Sequence, residues 1–84
     1  MIGNIVYSKC GHDKGKIFIV VDEDNLYYYL ADGKQRLISR PKKKKFKHVQ
    51  ITNYNCGELI ELLATKKCLD ADIRKSIKNY EERD

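Results

Sequence analysis

Between Gly33 and Gly57 the sequence contains no aspartate and no glutamate. Within that stretch, from Lys34 to His48, it carries eight cations: Lys34, Arg36, Arg40, Lys42, Lys43, Lys44, Lys45 and Lys47. The flanks show no such excess, with three cations against five acids over residues 1–33 and six against seven over residues 58–84. The net charge of +5 is therefore concentrated in one segment of a near-neutral chain. That distribution points to a polyanionic partner.

Other absences narrow the class. There is no CxxC pair: Cys10, Cys56 and Cys68 are odd in number and widely spaced, which argues against a disulfide framework and fits reduced thiols in a cytoplasmic protein. No run approaches the ~20 apolar residues of a membrane span, and the opening MIGNIVYSKCG has no apolar stretch of signal-peptide length. There is no internal repeat and no Gly/Ser-rich linker, so the 84 residues are expected to make one domain. A domain of this size buries only ~60% of the surface its unfolded chain exposes. Little room is left for a deep, water-excluding pocket, so neither an enzyme nor a small-molecule substrate is expected.

What is present divides by period. NIVYS, KIFIVVD, LYYYLA, KQRLIS and KHVQIT are short runs separated by turn signals, rich in Val, Ile and Tyr, and they read as five strands. Asp32-Gly33 suits a two-residue hairpin turn. Alternation in the third run sets Leu26, Tyr28 and Leu30 on one face, taken as core with Ile5, Ile17, Ile19, Leu37, Val49 and Ile51 as neighbours. Five short strands in so few residues suit a small, twisted antiparallel barrel. In PKKKKFK, Pro41 ends a strand and the lysines read as a loop that buries almost nothing. After Thr52 the period becomes helical. Asn55 is the expected N-cap of a first helix carrying Leu59, Leu62 and Leu63, and Asp70 that of a second carrying Ile73, Ile77 and Tyr80. The expected organisation is a barrel over residues 1–52, including the basic segment 34–48, and a helical extension over 53–84 packed on it.

The stretch VYSKCGHDKGKIFIVV sets Cys10, His12 and Asp13 within four residues. A nucleophilic triad needs a base in reach of the thiol and a third group to orient it, and neighbours in a tight loop fan outward instead. GHDKGK is one residue short between its glycines for a phosphate loop, and Ile17 stands where Ser or Thr should hold magnesium. Neither Cys10 with His12 nor Cys56 and Cys68 with His48 has zinc-site spacing, so no metal and no cofactor are expected. The glycines are better explained by a turn: Gly11 and Gly15 permit backbone angles that other residues resist, with Asp13 between them.

Those residues carry a resemblance. GNIVYSKCGHDKGKIFIVV resembles a KOW motif, in which an apolar strand, a loop glycine (Gly11), an Asp-Lys-Gly turn (Asp13, Lys14, Gly15) and a second apolar strand follow one another. ADGKQRLISRPKKKKFKHVQ is similar to the hairpin and basic segment, and DADIRKSI to the closing helix, of small bacterial KOW-domain RNA-binding proteins. These in turn resemble the KOW-type large-subunit ribosomal proteins of archaea and eukaryotes. The chain departs from the pattern at Cys10, where a small residue such as alanine is common, and at Phe18, where many KOW motifs have glycine. The resemblance implies an SH3-like barrel whose loop presents Lys9, His12, Lys14 and Lys16 to RNA.

The basic segment admits three readings: a solvated charge run, attraction to an anionic membrane surface, and an RNA backbone clamp. No amphipathic anchor or lipidation motif supports the membrane, and the clamp is preferred. It would use Lys34, Arg36, Arg40, Lys42, Lys43, Lys44, Lys45, Lys47 and His48, with Phe46 either stacked on an unpaired base or anchoring the next strand. Tyr7, Tyr27 and Tyr29 carry the same ambiguity between base contact and packing. Asp32 and Gly33 join Gly11, Asp13 and Gly15 as structural turn residues. The expected function is non-enzymatic binding of structured ribosomal RNA, on the large subunit or during its assembly. The alternative is a protein-interaction module contacting the transcription or translation machinery.

Overall fold

The computed structural model describes residues 1–83. Five strands form one antiparallel sheet: β1 (Asn4–Ser8), β2 (Ile17–Glu23), β3 (Tyr27–Ala31), β4 (Lys42–Lys45) and β5 (Val49–Asn55), in the order β4-β3-β2-β1-β5. A 3₁₀ turn, Phe46–His48, joins β4 to β5, and two helices follow, α1 (Gly57–Ala64) and α2 (Asp70–Glu81). Among the described residues no ladder joins β4 to β5, so backbone pairing does not close the expected barrel and the sheet keeps two edges. No helix among them is long and apolar enough to cross a membrane.

Both faces of the sheet are buried, which is why β2 reads Ile-Phe-Ile-Val-Val without a polar break. On one face Ile5, Ile19, Val21 and Ala31 pack against Cys56 and Leu59 and against Ile73, Ile77 and Tyr80 of α2. On the other, Val6, Phe18, Val20, Tyr28, Leu30 and Val49 pack on one another, with no helix among them. The ladders bulge between Asn4 and Val6 and between Val20 and Asp22, and bulges bend and twist strands, so the sheet curls over this second face. The expected single core is thus two. Tyr28 and Leu30 lie on the opposite face from Ile5 and Ile19, Leu26 is 52% exposed, and Ile17, Leu37 and Ile51 are only half-buried.

The fourth strand is not where alternation placed it. KQRLIS falls in the connection between β3 and β4, and the lysine run itself is β4, paired to β3 with Tyr28 opposite Lys44 and Tyr29 opposite Lys43. Asp32 explains the difference. Its Oδ1 accepts the N–H groups of Lys34 and Arg36, each at 2.9 Å, while the N–H groups of Asp32 and Gly33 go to the Arg36 carbonyl. The Ile38 N–H is taken by Asp70 Oδ1 at 2.8 Å. The bonds that a strand would offer to a neighbour are spent on carboxylates, and Asp32-Gly33 opens a long docked connection rather than a two-residue hairpin.

Both helix starts shift by one residue. Asn55 remains in β5, so that strand passes the expected boundary at 52, and its Nδ2 donates to Asn4 Oδ1 at 2.8 Å; Cys56 precedes α1 instead. Asp70 is the first residue of α2, and the Asp72 carboxylate accepts the Leu69 N–H at 2.9 Å to close its first turn. The stripe of Ile73, Ile77 and Tyr80 is buried as its spacing requires.

Candidate nucleic-acid interface

The β1–β2 loop is a tight double turn. The N–H of Gly15 bonds the Ser8 carbonyl at 2.8 Å, Lys14 bonds Gly11 at 3.2 Å and Lys16 bonds Asp13 at 2.9 Å. Gly15 has φ +84°, in the region that favours glycine, as the turn reading requires. The chain direction this produces turns Asp13 inward and leaves Lys9, His12, Lys14 and Lys16 exposed.

Asp13 is the centre of the arrangement rather than a mere turn residue. Its Oδ1 accepts hydrogen bonds from Ser8 Oγ at 2.7 Å and from Lys44 Nζ at 2.6 Å, and Lys44 Nζ also donates to the Cys10 carbonyl at 2.8 Å. Lys42 Nζ stands 3.7 Å from Oδ2, which has no hydrogen-bond partner. Burial pushes the Asp13 carboxyl upward, but the hydrogen bonds from Lys44 and Ser8 and the charges of both lysines outweigh it and hold the group at about 2. Lys44 is only 8% exposed. It was expected on the RNA surface and is instead an internal strut tying β4 to the β1–β2 loop across the open side of the sheet.

Alternation along β4 separates the remaining lysines. Lys42, on the same side as Lys44, is half-buried beside Asp13. Lys43 and Lys45 are exposed on the other side, where the Lys43 ammonium sits 4.2 Å from the centre of the Tyr27 ring. Phe46 is 38% exposed and packs on Tyr28 with 4.3 Å between ring centres, so it anchors the chain end of β4. Lys47 is exposed, and His48 is half-buried with its carbonyl accepting the Lys9 N–H at 2.9 Å. Tyr7 and Tyr29 are engaged within the fold, meeting Tyr80 Oη at 3.2 Å and Asp24 Oδ2 at 2.8 Å respectively.

These contacts bring together parts of the chain that the sequence leaves apart. His12 and Lys16 of the β1–β2 loop face Gln35, Arg36 and Lys42 across a cleft of about 140 Å³, floored by Phe18 and bordered by Asp13 and Asp32. Lys16 Nζ donates to Gln35 Oε1 at 3.4 Å. Lys34 and Lys16 share a second cleft beside α2. On the loop's other flank Lys9 meets His48. The result is a band of cations around one end of the sheet, from Lys34 and Arg36 through Lys16 and Lys14 to Lys9, with the His12 imidazole among them. Arg40, at the far end of the β3–β4 connection, and Lys43 and Lys45 lie outside it. Among the described residues none of the exposed lysines and arginines in the loop, the connection or β4 has a carboxylate within ion-pair distance. Gln35, an amide among these residues, was not singled out from sequence; its place between Lys34 and Arg36 was the available signal.

The trio that looks catalytic on paper is taken apart by the same geometry. Asp13 is occupied by Ser8 and Lys44, and among the described residues no hydrogen bond joins it or Cys10 to His12. No group of three or more His, Cys, Asp or Glu side chains is gathered as a metal site among them. Burial and the nearby Glu58 carboxylate push the Cys56 thiol up to about 11. In comparisons with known proteins, no protein-family model matches this chain and no curated protein does.

Proposed function

We propose that this is a non-enzymatic, cytoplasmic RNA-binding protein of the KOW type, engaging structured ribosomal RNA as a large-subunit component or assembly factor. In this reading the curled sheet is an SH3-like barrel without a β4–β5 ladder, in which the Lys44–Asp13 pair ties β4 to the β1–β2 loop. The observation that carries the reading is the band of cations around the β1–β2 loop, none of them in an ion pair among the described residues, set on a hydrogen-bonded turn. Ammonium and guanidinium groups there can neutralise phosphates and release counterions without first breaking an internal ion pair. Recognition by such a band follows backbone shape rather than sequence. The resemblance of the Gly11–Gly15 loop to a KOW turn adds the choice of RNA over other polyanions.

The test is a salt titration. Wild-type protein and a Lys14→Gln/Lys16→Gln/Lys34→Gln variant are titrated with a folded ribosomal RNA fragment at several salt concentrations. Each lost phosphate contact removes ~0.7–0.9 from the slope of log affinity against log salt, so the triple variant should be flatter by roughly two to three. An unchanged slope in a folded variant would place the RNA surface elsewhere. Retention in ribosomal fractions after RNase treatment would favour a protein partner.

A further inference from the structure

We propose that a corner built by Tyr54 and Arg83, away from the cationic band, is a stacking site for one unpaired RNA base. This rests on the RNA-binding reading and adds a contact of a different chemical kind. Tyr80 of α2 is buried, and its hydroxyl meets that of Tyr7 at 3.2 Å. Arg83 lays its guanidinium 3.6 Å from the centre of the Tyr80 ring and donates from Nη1 to the Tyr80 carbonyl at 2.5 Å. Tyr54, near the end of β5, stands edge-on to Tyr80 with 5.1 Å between ring centres, and the guanidinium lies 6.0 Å from the centre of the Tyr54 ring. Tyr54, Tyr80 and Arg83 line a cleft of about 330 Å³ with Thr52 and Asn53.

The chemistry of this corner selects its occupant. A guanidinium is planar, stacks on π faces, and keeps N–H donors in its plane for phosphate oxygens. An aromatic wall beside it offers a second flat surface, and Asn53 at the rim can both donate and accept. A flat, electron-rich ring linked to an anion meets all three demands, and an unpaired nucleotide is such a group. Bases in a duplex are already stacked and cannot enter. Arg83 is held in place beforehand by Tyr80, so little side-chain freedom is lost on binding. Position agrees as well: the last turns of α2, through Ile77 and Glu81, share one cleft with Gly15 and Lys16 of the β1–β2 loop, and Arg83 follows two residues after Glu81.

Two probes decide it: a single-stranded RNA oligonucleotide and the same strand with abasic positions, each titrated into wild-type protein, Tyr54→Ala, Tyr54→Phe and Arg83→Lys. The wild type should prefer the base-bearing strand by about five- to 150-fold, the range of one stacked base. Tyr54→Ala and Arg83→Lys should lose most of that preference, whereas Tyr54→Phe should keep it. The salt slope should remain as in the wild type for all three, because the phosphate contacts of the band are intact. A wild type with no preference, or a Tyr54→Ala or Arg83→Lys protein that retains it, overturns the stacking site while leaving RNA binding by the band untouched. If the wild type binds neither strand nor folded ribosomal RNA at any salt, the RNA reading and the corner fall together. Tyr54→Phe and Arg83→Lys keep the packing on Tyr80, so the outcome does not hinge on the stability of Tyr54→Ala.

Discussion

Lys44 and Lys45 are adjacent and identical in type, yet their environments differ as much as two lysines can. Removing one partner of a buried ion pair leaves the other charge desolvated, whereas a solvated lysine gives up only a hydrated ammonium. Lys44→Ala should therefore cost about 2–4 kcal/mol, in part because Asp13 loses its principal donor and the Cys10 carbonyl loses its own. Lys45→Ala should stay within about 0.5 kcal/mol of the wild type. Denaturant melts of the two proteins would show the contrast, and equal losses would contradict the burial of Lys44. Asp13 adds a pH signature. Its carboxyl is held at about 2 in the folded chain, below the ordinary value near 4, so between those limits the unfolded state binds the extra proton. The stabilisation is complete above about pH 4 and is lost as pH falls towards 2. Wild type should lose stability more steeply over that window than Asp13→Asn, which has no proton to take up. Cys56 makes a third prediction at this scale. With its thiol buried and pushed up to about 11, it should react with an alkylating reagent near neutral pH far more slowly than Cys10 or Cys68.

At the scale of elements, β1, β2, β3, β5 and both helices are readable because their apolar periods are long enough to dominate. β4 is not, because lysine is a poor strand former and four in a row repel one another. What makes the run a strand is tertiary: an edge tolerates lysine, Lys44 finds Asp13, and Lys43 finds the Tyr27 ring. None of those partners is near in sequence. The converse error at residues 34–39 has the same origin, since Asp70, a residue of α2, takes the Ile38 N–H. The cations of the candidate interface were legible as a segment, but which of those in β4 face outward depends on the face each occupies. Two glycines separate local from tertiary constraint. A Cβ on Gly15 would meet nothing within 4 Å, whereas one on Gly33 would lie 2.5 Å from the Asp70 carbonyl and 2.7 Å from Arg74 Cγ. Both have positive φ, so Gly15→Ala should cost about 1 kcal/mol from backbone alone. Gly33→Ala should cost about 2–4 kcal/mol, because α2 must also move away from a carbonyl that accepts Arg74 Nη1. Similar melting midpoints for the two variants would mean that α2 is not seated on Gly33.

For the whole molecule, the helices are half of one core rather than an appendage to a finished barrel. Ile5, Ile19, Val21 and Ala31 pack mainly against α2 and the residues in and around α1, with Ile38 of the β3–β4 connection at the edge. A chain ending at Lys67 should therefore show no cooperative thermal transition, whatever its strand content, and a sharp transition would mean that the curled sheet stands alone. The same interdependence governs any neutralisation of the lysine run. Replacing Lys42, Lys43, Lys44 and Lys45 together would confound loss of charge with loss of the Lys44 strut, so charge is best removed at Lys14, Lys16 and Lys34. Time enters through β1. It pairs with β2 on one side and with β5 on the other, and Tyr7 meets Tyr80 at the far end of the chain. During synthesis at ~5–20 residues per second, several seconds separate the appearance of Ile5 from that of Tyr80. Although β1 is made before the elements that cover it, one side of it is thus among the last to be enclosed. For that interval the newborn chain carries Ile5 without the helix residues that bury it.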